Sequence, residues 1–239
     1  MNLTIDNGNT ALKAGVFDQG TLVFSDSCLP DEVHAWLEKL KKYPITSAIL
    51  SSVAPVPELV TDYLSTISFK IVLSDSTLLP FTNAYQTPKT LGTDRLANIA
   101  GANELFAKKN VLVIDVGTCL KMDWIDTNSV YRGGSIAPGL KMRYRSLNEF
   151  TDRLPLLEPI EHTELTGINT EGSIHSGVLN GMTGEINASI ESYQHQLNDL
   201  QCILTGGDSR FFLNTLKTRI FAAPALTLLG LDSILRFNQ

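Results

Sequence analysis

The sequence predicts an α/β protein of two tandem units, each a mixed sheet flanked by helices. Three observations carry this. Short apolar runs of strand type alternate with segments in which apolar residues recur at the 3.6-residue period. Each half of the chain begins with three successive strand-type runs and continues as alternating helices and strands. Each half also opens with the same local pattern, a short apolar run ending in Ile-Asp-x-Gly-(Asn/Thr), at Ile5–Asp6 and again at Ile114–Asp115. A repeat of about half the chain length is the main organisational signal. Hairpins followed by helix–strand alternation imply mixed sheets with helices on their faces. The seam is expected near Lys108–Asn110, giving units 1–108 and 109–239 with a cleft between them.

The elements follow in order. Leu3–Ile5 is an apolar strand entering the turn Asp6-Asn7-Gly8-Asn9-Thr10, and Ala11–Phe17 and Thr21–Phe24 are strands joined through Asp18-Gln19-Gly20. Asp31 is expected to cap a helix with Val33, Trp36, Leu37 and Leu40 on one face. Ser47–Val53 is a strand, and Pro57 opens a helix with Leu59, Val60, Tyr63, Leu64 and Ile67 on its stripe. Phe69–Leu73 is a strand, and Asp94 begins a helix bearing Leu96, Ile99, Ala100 and Phe106. In the second half the strands are Val111–Ile114, Cys119–Ile125 and Val130–Ile136. A helix then starts near Pro138, and a long one runs from Gly172 to about Tyr193 with Ile174, Val178, Met182, Ile186 and Ile190 on one face. Gln201–Thr205 is a strand, Asp208 caps a helix, and a short strand at Arg219–Phe221 precedes a final helix from Ala225.

Composition narrows the function classes. With 239 residues, 43% of them hydrophobic and only 18% charged, the chain has the material for a packed core and is not disordered. Nineteen Lys and Arg against 25 Asp and Glu leave a net charge of −6, which argues against a nucleic-acid partner. The basic clusters Lys39, Lys41, Lys42 and Lys141, Arg143, Arg145 read as solvated faces. Cys28, Cys119 and Cys202 lack CxxC spacing, so reduced thiols in the cytoplasm are expected rather than disulfides or structural zinc. The four histidines show no HxxxH grouping. No apolar run is long enough to span a bilayer, and Met1-Asn2-Leu3-Thr4-Ile5-Asp6 does not read as a signal peptide, so no membrane partner is expected.

Several motifs bear chemistry. In Asp6-Asn7-Gly8-Asn9-Thr10, a glycine turn after a strand lets backbone N–H groups approach a phosphate. The Asn9 amide and Thr10 hydroxyl add donors, Lys13 adds a point charge, and Asp6 suits Mg²⁺ or its water shell, since hard cations take oxygen ligands. An ordinary Asp-Asn-Gly hairpin explains this segment equally well on its own. The second copy, Asp115-Val116-Gly117-Thr118, shifts the balance: Thr118 can donate to phosphates and Asp115 can coordinate a cation. Gly206-Gly207 lies at the carboxyl end of a strand, where α/β folds place ligand loops, although a plain turn accounts for it as well. The chain contains neither GxxxxGK[ST] nor a GxGxxG between strand and helix, and no GxSxG elbow. In Gly92-Thr93-Asp94-Arg95, where a loop enters a helix, Asp94 can accept an alcohol proton while Arg95 orients an anionic group. An N-cap aspartate beside an exposed arginine is the competing explanation.

Taken together in order, Asp6-x-Gly8-Asn9-Thr10 with Lys13, Gly92-Thr93-Asp94-Arg95, Asp115-x-Gly117-Thr118, Gly133-Gly134-Ser135-Ile136-Ala137-Pro138-Gly139, and Asn169-Thr170 with Ser176-Gly177 resemble type III pantothenate kinase, of the acetate and sugar kinase/Hsp70/actin superfamily. The resemblance covers nearly the whole chain. It implies two tandem ribonuclease-H-like (actin-like ATPase) domains with five-stranded mixed sheets, the active site lying in the interdomain cleft. It also implies phosphorylation of pantothenate by ATP, the first step of coenzyme A synthesis, with Mg²⁺ and a monovalent cation, potassium or ammonium. It assigns Asp6, Asn7, Gly8, Asn9, Thr10, Lys13 and Thr118 to ATP, and Tyr85, Gly92, Thr93, Asp94 and Arg95 to pantothenate. Asp94 is the expected proton acceptor. Asp115 would hold the monovalent cation, and Thr170 would complete the active site across a homodimer interface.

One departure stands out. After Gly117-Thr118, where the family usually continues with small and hydroxylated residues, this chain has Cys119-Leu120-Lys121. Lys121 either places a charge near the cation or phosphate region or points to solvent. Two functional rivals follow from the resemblance: a kinase for another small alcohol or acid, and a non-catalytic nucleotide-binding regulator resembling the Bvg accessory factor.

Overall fold

The computed structural model describes residues 1–239 and divides the chain into two compact units. The first comprises Met1–Lys108, Ile125–Arg132 and Ala225–Gln239. Its sheet has five strands in the order β3-β2-β1-β4-β5. Strands β1 (Asn2–Asn7), β2 (Leu12–Asp18) and β3 (Thr21–Cys28) form an antiparallel meander, while β4 (Ser47–Ser52) and β5 (Phe69–Val72) run parallel to β1. Strand β1 is central, so Leu3 and Ile5 are fully buried, and the alternation expected of a half-exposed strand is replaced by a continuous buried run. Helices α1 (Val33–Leu40) and α2 (Glu58–Ser65) pack together. They bury Val33, Trp36, Leu37, Leu40, Val60 and Leu64 as the periodicity requires. Leu59, expected on the same stripe, is exposed. Asp31 does not cap α1; it sits inside the 3-10 turn Pro30–Glu32 that precedes it.

Helix α3 (Thr93–Leu105) and the closing helix α6 (Leu226–Phe237) form the second helical layer of this unit. Their axes come close because Gly101 and Gly230 face each other's backbone; a Cβ on Gly230 would lie 1.7 Å from the Ala97 carbonyl oxygen. Asn2 on β1 donates to Asp232 of α6 at 2.9 Å. Although α6 ends the chain, it belongs to the first compact unit. The helix is too apolar to lie on a surface, with Leu228, Leu231, Ile234 and Leu235 buried, and it finds its partner in α3.

The second unit comprises Lys109–Trp124 and Gly133–Pro224. The second sheet has the order β11-β10-β7-β8-β9-β6. It is built from β7 (Val111–Val116), β8 (Cys119–Ile125), β9 (Val130–Pro138), β10 (Gln201–Thr205) and the two-residue β11 (Phe221–Ala222), with β6 (Thr82–Asn83) added beside the β9 end that belongs to the first unit. Six strands, rather than the expected five, reflect β6, whose two residues leave no periodic signal. Within the second unit, α4 (Leu140–Glu149) and the 27-residue α5 (Thr170–Gln196) pack together. Ile174, Val178, Met182, Ile186 and Ile190 of α5 lie in one core with Leu112, Ile114 and Leu204. Asp208 precedes only a 3-10 turn, Ser209–Phe211.

Candidate active site

In the first unit, β1 ends in the turn that joins it to β2. The Gly8 amide donates to the Ala11 carbonyl at 3.2 Å, leaving Asn9 and Thr10 exposed at the tip. The register sets Asp6 directly opposite Lys13 on one side and Ser51 of β4 on the other. Ser51 Oγ donates to Thr93 Oγ1 at 3.0 Å. One transverse row therefore connects Lys13, Asp6, Ser51 and the start of α3. Asn7 is turned to a different purpose. Its Nδ2 lies 2.8 Å from Ser52 Oγ, 2.9 Å from the Ala54 carbonyl and 3.2 Å from the Pro55 carbonyl, so its amide holds the loop after β4.

Gly92 caps α3, and the residues behind it are buried from Arg95 to Ala102. Asp94 lies in the first turn, where the helix dipole favours a carboxylate. Its Oδ1 accepts the Arg95 amide at 2.9 Å and is so close to Gly92 that a Cβ there would sit 2.5 Å away. Arg95 is only 4% exposed and does not extend into solvent as an N-cap neighbour would. Its guanidinium lies over the Tyr85 ring, 5.4 Å from the centroid. Tyr85 in turn stacks on the fully buried Tyr131, with centroids 6.0 Å apart and planes inclined by 8°, and Phe81 meets Tyr131 edge-on. Tyr85 and the Gly92–Arg95 turn are thus brought together. Tyr131 and Ser51, which complete this arrangement, were not singled out by the sequence; the position of Ser51 at the carboxyl end of a buried strand is the signal that could have found it.

In the second unit, β7 and β8 are joined through Gly117-Thr118, with the Gly117 amide donating to the Cys119 carbonyl at 3.1 Å. Two glycines let other backbones close on this turn. Gly139, before α4, donates its amide to Thr118, and a Cβ on it would lie 2.2 Å from the Gly117 carbonyl oxygen. Gly206, with φ +95°, would place a Cβ 2.3 Å from the Val116 carbonyl oxygen and 2.6 Å from Asp115 Oδ1. The Gly206-Gly207 loop therefore braces the second turn. Burial raises the pKa of Asp208 in that loop, against the pull of Lys141 and Arg210. Asp115 Oδ2 pairs with Lys121 Nζ at 2.8 Å, their side chains only 13% and 14% exposed. Lys121 does not point to solvent. This arrangement does not suit the expected monovalent cation: one carboxylate oxygen is held by an ammonium group and the other lies beside the Gly206 backbone.

Thr170 begins α5, capped by Asn169, whose side chain accepts the Gly172 amide at 2.8 Å. It lines a cavity of about 670 Å³ between α4 and α5 with Arg143, Ser146, Leu154, Ser173 and Gly177. Arg143 crosses this region to Glu185. Behind it, Tyr144 bonds His175 Nδ1 at 2.9 Å, and burial pushes its phenol up to about 12. Phe150, Leu156, Leu165 and Ile168, around this cavity in sequence, are exposed, Ile168 by 96%.

The sequence model of the type III pantothenate kinase family matches residues 2–192. A relative named type III pantothenate kinase from Christiangramia forsetii is 43% identical over 241 residues, covering 100% of this chain and 99% of the relative. One of the same name from Cytophaga hutchinsonii is 40% identical over 240 residues, with 100% of both chains covered. Among solved structures, a Baf family protein from Campylobacter jejuni aligns with a TM-score of 0.64 at 20% identity, covering 99% of this chain and 98% of the other. A ROK family glucokinase from Streptomyces griseus, in complex with glucose and AMPPNP, aligns with a TM-score of 0.52 at 13% identity, covering 99% and 98%. At such identities the structural likenesses show the fold alone, and it is the actin-like ATPase fold that the resemblance implies.

Proposed function

The chain belongs to the type III pantothenate kinase family, and we propose that it transfers the terminal phosphoryl group of ATP to the primary hydroxyl of pantothenate, giving ADP and 4'-phosphopantothenate for coenzyme A synthesis. The observation that carries this reading is the Gly92–Arg95 turn, which fixes a carboxylate and a buried guanidinium side by side at a helix N-terminus. Pantothenate has an alcohol at one end and a carboxylate at the other, and the two side chains match those groups in kind. Arg95, buried over the Tyr85 ring that itself stacks on Tyr131, is preorganised for an anionic group.

Phosphoryl transfer passes through a loose transition state, so the protein contributes mainly position and charge. Asp94 orients the hydroxyl and takes its proton as the new P–O bond forms and the bond to ADP breaks. In a loose transition state the hydroxyl proton leaves late, so orientation comes first and proton acceptance follows. The Gly8–Thr10 turn, Lys13 and Thr118 are the donors proposed for the ATP phosphates. Asp6 supplies a carboxylate oxygen that fits Mg²⁺, which when bound neutralises charge on the phosphates. Asn7 acts indirectly, by holding the Ser52–Pro55 loop.

A homodimer fits the exposed Phe150, Leu156, Leu165 and Ile168, since apolar side chains gathered on one segment favour association. In that assembly Thr170 is the residue proposed to reach the substrate of the other copy. No helix is long and apolar enough to cross a membrane. Nothing in the site favours a regulatory role without catalysis, because Asp94, Arg95 and both glycine turns are intact. The test is an ADP-release assay with ATP, Mg²⁺ and pantothenate, with the product identified by mass. Pantothenate-dependent ADP release with a mass gain of one phosphoryl group is expected. ATP binding without any pantothenate-dependent turnover would refute the reading.

A further inference from the structure

We infer that Lys121 is a built-in substitute for the monovalent cation, so that the enzyme works without potassium or ammonium. The inference rests on the kinase reading above and concerns the charge balance of the second glycine turn. Asp115 stands at the end of β7, directly before the turn that carries Thr118. Lys121, on the neighbouring strand β8, brings its Nζ to 2.8 Å from Asp115 Oδ2 in a largely enclosed position. A lysine head group is chemically a tethered ammonium ion: one positive charge and three N–H donors on a compact tetrahedral centre. Tethering holds it at the carboxylate without drawing on a free ion.

Two features weigh against an added ion. Oδ2 already carries the ammonium group, and Oδ1 lies beside the Gly206 backbone, which closes on this turn. A second unit charge about 4 Å from Nζ would be repelled strongly enough, at a protein-like dielectric, to weaken its binding on the order of a thousandfold. The repeat suggests a different role as well. Asp6 faces Lys13 across the first hairpin much as Asp115 meets Lys121 in the second, and Lys13 is proposed to bind phosphate. The buried ion pair favours charge replacement, because an ammonium committed to Asp115 has fewer donors left for a phosphate.

The experiment compares potassium, ammonium and tetramethylammonium chlorides at constant ionic strength. For the native chain, kcat and KM should agree within about twofold in all three. Lys121→Thr and the stem-preserving Lys121→Met should lose at least tenfold in kcat in tetramethylammonium and recover in potassium or ammonium. Melting curves with ATP and Mg²⁺ give a readout independent of turnover. Potassium should raise the Tm of the variants and leave the native Tm unchanged, because only a vacated site binds the ion. Activation of the native enzyme by potassium beyond fivefold would overturn the inference. So would folded variants that gain no stability from potassium, or variants with a raised KM for ATP and no rescue, which would make Lys121 a phosphate ligand. If native turnover with pantothenate is absent while potassium still stabilises only the variants, the substrate assignment fails and the charge replacement stands.

Discussion

Replacing Gly92 by alanine isolates the position of the Asp94 carboxylate from its chemistry. The backbone at Gly92, φ −59° and ψ 134°, is open to any residue, so alanine introduces no backbone strain. What it introduces is a methyl group 2.5 Å from Asp94 Oδ1. Ordinary contact begins at 3.4 Å, so the carboxylate must retreat by about 0.9 Å and weaken its bond from the Arg95 amide. A misplacement of about 1 Å at a reacting group costs on the order of 10²-fold in rate. Gly92→Ala should therefore lose roughly a hundredfold in kcat, with the Tm within a few degrees of native and ATP affinity unchanged. Asp94→Asn, which keeps an oxygen to accept the Arg95 amide, should lose about 10²–10⁴-fold because the acceptor is gone while the turn persists. Steady-state ADP release and a melting curve on each variant suffice. A Gly92→Ala enzyme within threefold of native, beside a Asp94→Asn enzyme that is inactive, would show that the carboxylate need not be held where the structure holds it. Full activity of Asp94→Asn would remove Asp94 from the mechanism.

Three further outcomes follow from packing and electrostatics. Gly230→Ala puts a Cβ 1.7 Å from the Ala97 carbonyl and 2.7 Å from the Gly101 amide nitrogen, so α3 and α6 must separate. Overpacking of about 3 kcal/mol should lower the Tm by roughly 6–12 °C, and a change below 2 °C would contradict the helix contact. Asp126 accepts the Asn128 and Val130 amides and pairs with Arg132; burial opposes its ionisation, but these donors together hold its pKa below 3.8. Asp126→Ala should cost about 1–3 kcal/mol at pH 7. Because the folded pKa is the lower one, this contribution is complete above about pH 4–5, is lost as pH falls through the folded value, and vanishes from the native-minus-variant difference in acid unfolding. Burial pushes Cys202 up to about 11, and Cys28 up to about 11 by burial aided by Glu32 and Asp26. Half-exposed Cys119, beside Thr118, should thus be the thiol that reacts with an aromatic disulfide at pH 7, and ATP should protect it.

Much of the fold was legible because its elements obey single periods. The face of α5 from Ile174 to Ile190 and the strands β8 and β10 follow directly from the sequence, since a helix stripe or a short buried strand is specified locally. The elements that differed depend on distant residues. Strand β6 exists because β9 offers an edge to Thr82–Asn83, and α6 joins the first unit because Gly101 and Gly230 admit a close crossing 129 residues apart in sequence. The Gly92–Arg95 turn was readable as chemistry, but whether Arg95 extends into solvent depended on Tyr85, against which it is buried. Tyr131 could not be found locally, because nothing near it marks an aromatic that supports another aromatic. Asn7 shows the converse. It sits inside a recognisable motif, yet its amide serves the Ser52–Pro55 backbone, whose acceptors lie some 45 residues away.

Lys121 shows how a departure from a family pattern acquires meaning only through a partner. A lysine on a half-exposed strand ordinarily extends into water and keeps up to about 2 kcal/mol of side-chain entropy. Lys121 gives that freedom up, and an exposed ion pair, worth about 0–1 kcal/mol, would not compensate for it. Here the pair is enclosed, and removing either partner would leave the other charge buried, a change that costs about 3–5 kcal/mol. A chain carrying aspartate at this turn without the lysine must recruit its positive charge from solution, and its activity must follow the ion supply. With Lys121 in place the charge accompanies the fold, and turnover becomes independent of the surrounding salt.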